Sequence, residues 1–421
     1  MAASDRAETT GSGRRIDLGC STRHVVVKLE RSAARHLNGT RSADASWQRD
    51  RPDAENARLL QEPCTMSDYE MLDDLYAYNE WANSKVLSLC EGLTASQLDQ
   101  EMPIGRGSLR ATLFHILAAE DVWMDRWTGI PWRPFPTDPE SIRLDEIQDG
   151  LDEVAAQRRS LIELNRPARW SETITYQDSK KNEHTHSLYD LLLHVANHGV
   201  HHRAQALHFL KKFGRTVPAG LDYIFYRLAA STVDQDPAAV KQLQQFGLSV
   251  GTIKSRDPQY DAALVQRLYA YHDWAMNEVF DMCDTVDVAA LDQDFSMGSG
   301  TIRKCLRHLL DAEQWWIDNW SGDSNDFPRS AEEMPLQEIQ SQWKKLSRKR
   351  KRFLATVDED AAMKVVTVAP NGLPTSFRIG ESVLQLPLHG THHRAQIINM
   401  VRRSKGRLHN IDLLYAIDEL K

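Results

Sequence analysis

Sixteen histidines are the unusual feature of this 421-residue chain, and the spacing of some of them suggests metal chemistry. His198 and His202 stand four residues apart, as do His389 and His393. At about 100° per residue, such positions lie about 40° apart around a helix axis and one turn along it. Each pair can therefore aim two imidazoles at one point. His201 and His392 are displaced around the helix and are weaker ligand candidates. A third ligand must come from another helix, and His115 and His308 are the candidates. Three neutral imidazoles with one open position suit Zn²⁺, Ni²⁺, Fe²⁺ or Co²⁺, with water completing the shell.

An internal repeat singles out these residues. LYAYNEWAN at Leu75–Asn83 returns as LYAYHDWAM at Leu268–Met276. GSLRATLFHILAAEDVWMDRWTG at Gly107–Gly129 returns as GTIRKCLRHLLDAEQWWIDNWSG at Gly300–Gly322, and HGVHHRAQ at His198–Gln205 as HGTHHRAQ at His389–Gln396. Superposing the copies puts His115 on His308, His198 on His389, His201 on His392 and His202 on His393. His194 falls on Gln385, His208 on Asn399 and His272 on Asn79, while His184 and His186 are assigned to a loop. A lone helical histidine is more often a surface or hydrogen-bonded core residue than a ligand. Wholesale copying by duplication is the competing explanation for the repeat. Against it, much of the surrounding helix surface has diverged while these histidines have not.

The elements that must position them are helical. Apolar periodicity predicts helices near 68–91, 108–128, 143–166, 186–212 and 220–229, and again near 260–285, 300–320, 335–357, 380–403 and 410–420. Ser67 with Glu70 reads as a capping box, and Ser108 and Thr301 as N-caps. The β-prone runs Glu172–Tyr176 and Lys364–Val368 are too short for a sheet-based domain. The expected fold class is all-α, two tandem four-helix bundles at 66–230 and 260–421 joined by a linker at 231–259. In bundles, metal and ligand sites form from side chains on facing helices.

Residues 1–65 lack sustained apolar periodicity and read as a disordered extension. Nine acidic residues there argue against a transit peptide, and no apolar segment suggests a secretory signal. Folded sequence is expected to begin at Met66, with 1–65 an upstream extension that need not belong to the natural product. The chain carries a net charge of −8, which does not suggest general nucleic-acid affinity. No run of about 18 apolar residues suggests a membrane span. Five cysteines without a CxxC pair argue against a disulfide framework or thiolate zinc site and fit a cytoplasmic protein.

Other shared residues read as structure first. Trp81/Trp274, Trp123/Trp316 and Trp127/Trp320 suit core packing better than a substrate box. Arg203/Arg394 suit an ion pair better than an anion site. Gln205/Gln396 could hydrogen-bond a ligand imidazole. The basic run at Lys344–Arg352 reads as a solvated helix face. Glu120/Glu313 are weak candidates for a general base, with ligand orientation or simple solvation as alternatives. The cysteine pair Cys90/Cys283 reads as core, so neither copy offers a repeated nucleophilic thiol.

One histidine on the second helix and H-x-x-x-H-H-R-x-Q on the fourth, with the YNEWAN and YHDWAM openings, resemble the DinB superfamily, also called DinB/YfiT-like. The resemblance covers nearly all of 66–421 as two tandem modules. It implies up-down-down-up bundles, each with a three-histidine divalent-metal site at one end, formed by His115, His198 and His202, then by His308, His389 and His393. Ala204 and Ala395 stand where many members carry Gly. The family implies thiol-dependent S-transferases and an isomerase among its activities, and an iron-binding role in sulfoxide synthases, whose second large domain this chain lacks. The expectation is a metal-dependent thiol S-transferase or hydrolase with one metal (Zn, Ni or Fe) per module. Its expected partners are a small-molecule substrate and a low-molecular-weight thiol, with an internal pseudo-dimer or a homo-oligomer as the assembly. The alternative is a non-catalytic, stress-associated metal-binding or interaction protein. A third reading keeps just one copy active.

Overall fold

Four long helices in each half bury their apolar stripes against one another and so set the positions of the histidines. The computed structural model describes residues 70–130, 142–164, 170–178, 180–215, 220–254, 257–369 and 372–419. The first half runs α1 (Met71–Leu89), α2 (Leu109–Trp127), α3 (Leu144–Leu164), β1 (Thr173–Gln177), β2 (Glu183–Ser187), α4 (Leu188–Lys212) and α5 (Tyr223–Ala230). A further helix, α6 (Pro237–Gln245), lies within the expected linker. The second half runs α7 (Ala262–Cys283), α8 (Ile302–Ser321), α9 (Leu336–Leu354), β3 (Val365–Val368), β4 (Thr375–Arg378), α10 (Gln385–Arg403) and α11 (Leu413–Glu419). The architecture is all-α, and residues 1–65 lie outside the described residues. No helix among the described residues is long and apolar enough to cross a membrane.

Side-chain contacts fix the helix directions. Arg110 at the start of α2 donates to the Ile142 carbonyl just before α3, so these two helices start together and run parallel. Along α1 and α4, Tyr76 bonds the Leu192 carbonyl, Asn79 the Ala196 carbonyl and Asn83 the Arg203 guanidinium, a rising series that makes them parallel. His115 meets His202 while Trp123, two turns on, meets His194, so α2 and α4 are antiparallel. The result is up-down-down-up. The second half repeats it: Arg303 donates to the Met334 carbonyl before α9, and Tyr269 of α7 to the Val383 carbonyl before α10.

The helix starts follow their capping chemistry. Ser108 accepts from the Ala111 N–H and Thr301 from the Lys304 N–H at 3.1 Å each, satisfying N-terminal donors that otherwise lack partners. α1 begins later than expected, after Glu70, whose N–H donates to Asp73 at 3.1 Å, and Ser67 falls outside the described residues. The expected continuous helix at 380–403 is instead a single turn at Ile379–Ser382 followed by α10. Pro387 lies in the first turn of α10, where its missing N–H removes no helical bond.

Each β-prone run pairs with a partner strand to form a two-stranded antiparallel hairpin, Thr173 opposite Ser187 and Val365 opposite Arg378. His184 and His186 therefore lie on β2 rather than in a loop. His186 is buried, bonded to the Tyr176 hydroxyl and to Asp418 at 3.1 Å each. The β-branched run Val365–Val368 is readable as β-prone, but EHTHS has no apolar pattern to mark it as a strand.

The two halves pack through their fourth helices. Thr391 of α10 donates to Asn197 Oδ1 of α4 at 2.8 Å, in the buried interior. Gln385 Oε1 accepts from the Ile224 N–H at 2.9 Å, and Asn399 donates to the Pro103 carbonyl at 3.0 Å. The linker folds back, with the Ile253 N–H bonded to the Ala229 carbonyl at 2.8 Å. Beneath it Arg227, fully buried, holds Asp74 at 2.6 Å and lies 3.7 Å from Glu381 of the second half.

Candidate metal centres

The i,i+4 spacing on α4 brings His198 and His202 one turn apart on one face, with ring centroids 4.3 Å apart. α2 supplies His115, whose ring lies 5.1 Å from His198 and 4.4 Å from His202. The second half builds the same triad: His308 of α8 lies 5.0 Å from His389 and 4.6 Å from His393, which are 4.4 Å apart on α10. In each triad one ring nitrogen per histidine lies within 4.8 Å of the other two. His308 Nε2 and His389 Nε2 are 3.1 Å apart. At zinc–imidazole bond lengths of about 2.0–2.1 Å, that separation subtends roughly 100° at a shared ion. The donor set fits a divalent cation.

Hydrogen bonding fixes how one imidazole of each triad is presented. Gln205 Oε1 accepts from His202 Nδ1 at 2.9 Å, and its amide donates to His201 Nε2 at 2.9 Å. Gln396 does the same between His393 (2.8 Å) and His392 (2.9 Å). The pattern assigns the proton of His202 and His393 to Nδ1 and leaves Nε2 as the lone-pair donor. His201 and His392 are thus partners of the glutamine, outside both triads.

Burial keeps these rings neutral. It lowers His115 to about 2, with His198, Arg106 and His201 adding repulsion, and lowers His198 to about 4, helped by Arg106. His202, His389 and His393 are pushed well below the usual range, chiefly by burial. For His308 burial is opposed by the nearby carboxylates of Asp222 and Asp311. Burial also lowers His201 to about 4 against the pull of Asp412, and lowers His392 against that of Asp222. A ligand must be deprotonated to bind a cation, so these sites need displace few protons.

Asp222 and Asp412 escaped sequence reasoning. Each precedes the short fifth helix of its own half yet acts on the histidines of the other. The signal was present in the repeat, where LDY at Leu221–Tyr223 matches IDL at Ile411–Leu413.

These triads occur in a chain whose residues 66–236 and 259–407 both match the model of the DinB family. The chain belongs to the DinB family. Among curated relatives, Protein DinB of Bacillus subtilis (strain 168) is 23% identical over 174 residues, covering 40% of this chain and 98% of that protein. No solved structure gives a significant match.

Within this DinB family chain the shared glutamates, arginines and tryptophans make contacts outside the triads. Glu120 accepts from Arg158 of α3 at 2.5 Å, and Arg158 also holds Glu80 at 2.8 Å. Glu313 pairs with Arg350 of α9, which also binds Asp273. Five residues beyond the triad histidine places each glutamate about 140° around its helix. Neither glutamate is part of a triad, and each is committed to a buried guanidinium. The repeated carboxylate–arginine–carboxylate cluster was hidden because Arg350 sits inside a basic run that reads as solvated.

Arg203 and Arg394 are buried, but among the described residues neither makes an ion pair. Arg203 donates to Asn79 and, at 3.0 Å, to Asn83; Arg394 bonds His272 Nδ1 at 2.9 Å and Thr391 at 2.7 Å. Each guanidinium also lies over a tyrosine, Tyr78 or Tyr271. Trp123, Trp127, Trp316 and Trp320 are buried in the core, as are Cys90, Cys283 and Cys305.

Proposed function

We propose that each module binds one divalent metal, Zn²⁺, Ni²⁺ or Fe²⁺, through His115, His198 and His202 or through His308, His389 and His393. The chain would then act as a metal-dependent thiol S-transferase or hydrolase. The observation that carries this reading is the triad built twice, with neutral rings and a glutamine turning one Nε2 of each toward its partners. A bound divalent ion would lower the pKa of a coordinated thiol or water enough to supply a nucleophile near neutral pH. The chain's own part is to hold three imidazoles in one protonation state on rigid helices and to leave the remaining approach to a small substrate. The repeated cysteines Cys90 and Cys283 are buried in the core, and the repeated glutamates Glu120 and Glu313 are paired with arginines, which favours a nucleophile held on the metal.

Metal analysis after purification without chelators should give about two equivalents per chain, with His202→Ala and His393→Ala each losing about one. Less than half an equivalent per triad would overturn the metal reading. Metallated protein is then assayed for transfer from low-molecular-weight thiols to electrophiles and for hydrolysis. Full metal occupancy without turnover would favour a non-catalytic metal-binding role.

A further inference from the structure

A tight loop built twice leads into the helix that carries each third histidine. In the first half the Met102 N–H bonds the Gly107 carbonyl and the Gly107 N–H bonds the Ile104 carbonyl, both at 2.8 Å. In the second, Phe295 with Gly300 and Gly300 with Met297 make the same two bonds, again at 2.8 Å. The first glycine has positive φ in both copies, 48° at Gly105 and 54° at Gly298, and so has the second, 94° at Gly107 and 100° at Gly300. Few residues but glycine adopt these angles readily.

The first glycine is also pressed against the site. A Cβ on Gly105 would lie 2.1 Å from Gln205 Oε1, and one on Gly298 would lie 2.3 Å from Gln396 Oε1. These are the amide oxygens that accept from His202 and His393. The loop therefore sits against the hydrogen-bond network of each triad, and its hydrogen bonds hold one intervening residue beside it. That residue is Arg106 in the first copy and Ser299 in the second. Both are exposed. Among the described residues no carboxylate pairs with Arg106.

The surroundings diverge in the same sense. The charge of Arg106 reaches His115 and His198. At the second centre the charges reaching His308 are those of Asp222 and Asp311, and Asp311 falls on Ala118 of the first copy. Asp412, the counterpart of Asp222, faces His201 beside the first centre, so the frames differ at Arg106 against Ser299 and at Ala118 against Asp311.

We propose that the residue between the two glycines selects the charge of the ligand at each centre. Arg106 recruits a small ligand bearing a carboxylate to the first, and Ser299 leaves the second to a neutral one. The proposal rests on the triads holding metal. A guanidinium on the loop that abuts the hydrogen-bond network of a triad suits a molecule with a metal-seeking group at one end and a carboxylate at the other. The two halves would then be paralogous centres with different substrates.

Cobalt(II) tests this, because a thiolate that joins the ion gives a near-ultraviolet charge-transfer band. The probes are mercaptoacetate, which carries a carboxylate, and neutral 2-mercaptoethanol. In full-length His393→Ala protein, which keeps the first triad, Arg106→Ser should weaken mercaptoacetate about fivefold and leave 2-mercaptoethanol within about twofold, the scale of one exposed ion pair. Arg106→Lys should retain most of the preference. In full-length His202→Ala protein, Ser299→Arg should strengthen mercaptoacetate selectively. Equal loss of both thiols, or no change in either, would overturn the proposal while cobalt loading upholds the metal centres. Failure of cobalt to load would overturn both readings.

Discussion

A single amide decides what one imidazole of each triad offers. Gln205 accepts from one ring and donates to its neighbour, so His202 and His201 are ordered together, and Gln396 repeats this at His393 and His392. The adjacent histidines of the HH pair thus have separate tasks that their helical angles alone predict only in part. Another histidine on α4 has a different consequence. Burial, with Lys212, Arg403 and Lys211 nearby, lowers His208 to about 4 from an ordinary value of 6.5. The unfolded chain then binds more protons below about pH 6.5, so the stability His208 allows is complete above that pH and is lost as pH falls toward 4. His208→Asn, which installs the residue found at the matching Asn399, should flatten that decline. Denaturation midpoints from pH 8 to pH 4 check this, and parallel profiles for both proteins would contradict it.

At the scale of elements, the glycine inside each H-G-x-H-H stretch shows how packing shapes a motif. The Arg394 side chain folds back along α10, and a Cβ on Gly390 would lie 2.7 Å from its Nη1 and 2.4 Å from the His272 ring. On Gly199 a Cβ would meet the flexible end of Arg203 at 2.9 Å and Asn79 at 3.4 Å. Alanine gains up to about 1 kcal/mol of helix propensity over glycine, whereas overpacking a core costs about 1–3 kcal/mol. Gly390→Ala should therefore destabilise by about 2 kcal/mol and Gly199→Ala by less, measured by chemical denaturation. Equal effects would show that the His272 ring yields as easily as a guanidinium tip. Most helices, the caps at Ser108 and Thr301 and the clustering of both triads were legible because they follow local sequence signals and because the repeat filtered the histidines. The pairing of Glu313 with Arg350 and the strand holding His186 depend on contacts between distant segments, which periodicity does not encode.

For the whole molecule, the helices that carry two ligands of each centre are also the helices through which the halves meet. Residues of one half reach the histidines of the other, Asp412 at His201 and Asp222 at His392. Among the described residues the polar part of the α4–α10 packing runs through one hydroxyl: Thr391 donates to Asn197 Oδ1 at 2.8 Å and accepts from Arg394 at 2.7 Å. Thr391→Val keeps the shape and removes both bonds, leaving a buried amide oxygen and a buried guanidinium each short of a partner. Such groups cost about 1–3 kcal/mol when left unsatisfied. Because the partners belong to both halves, the loss should lower the midpoint of one shared unfolding transition. Independent halves would instead give two transitions. Far-ultraviolet circular dichroism and tryptophan fluorescence, followed through a urea titration, distinguish the two. Coincident curves displaced together in Thr391→Val support coupling through α4 and α10, and a shift confined to one of two phases would refute it.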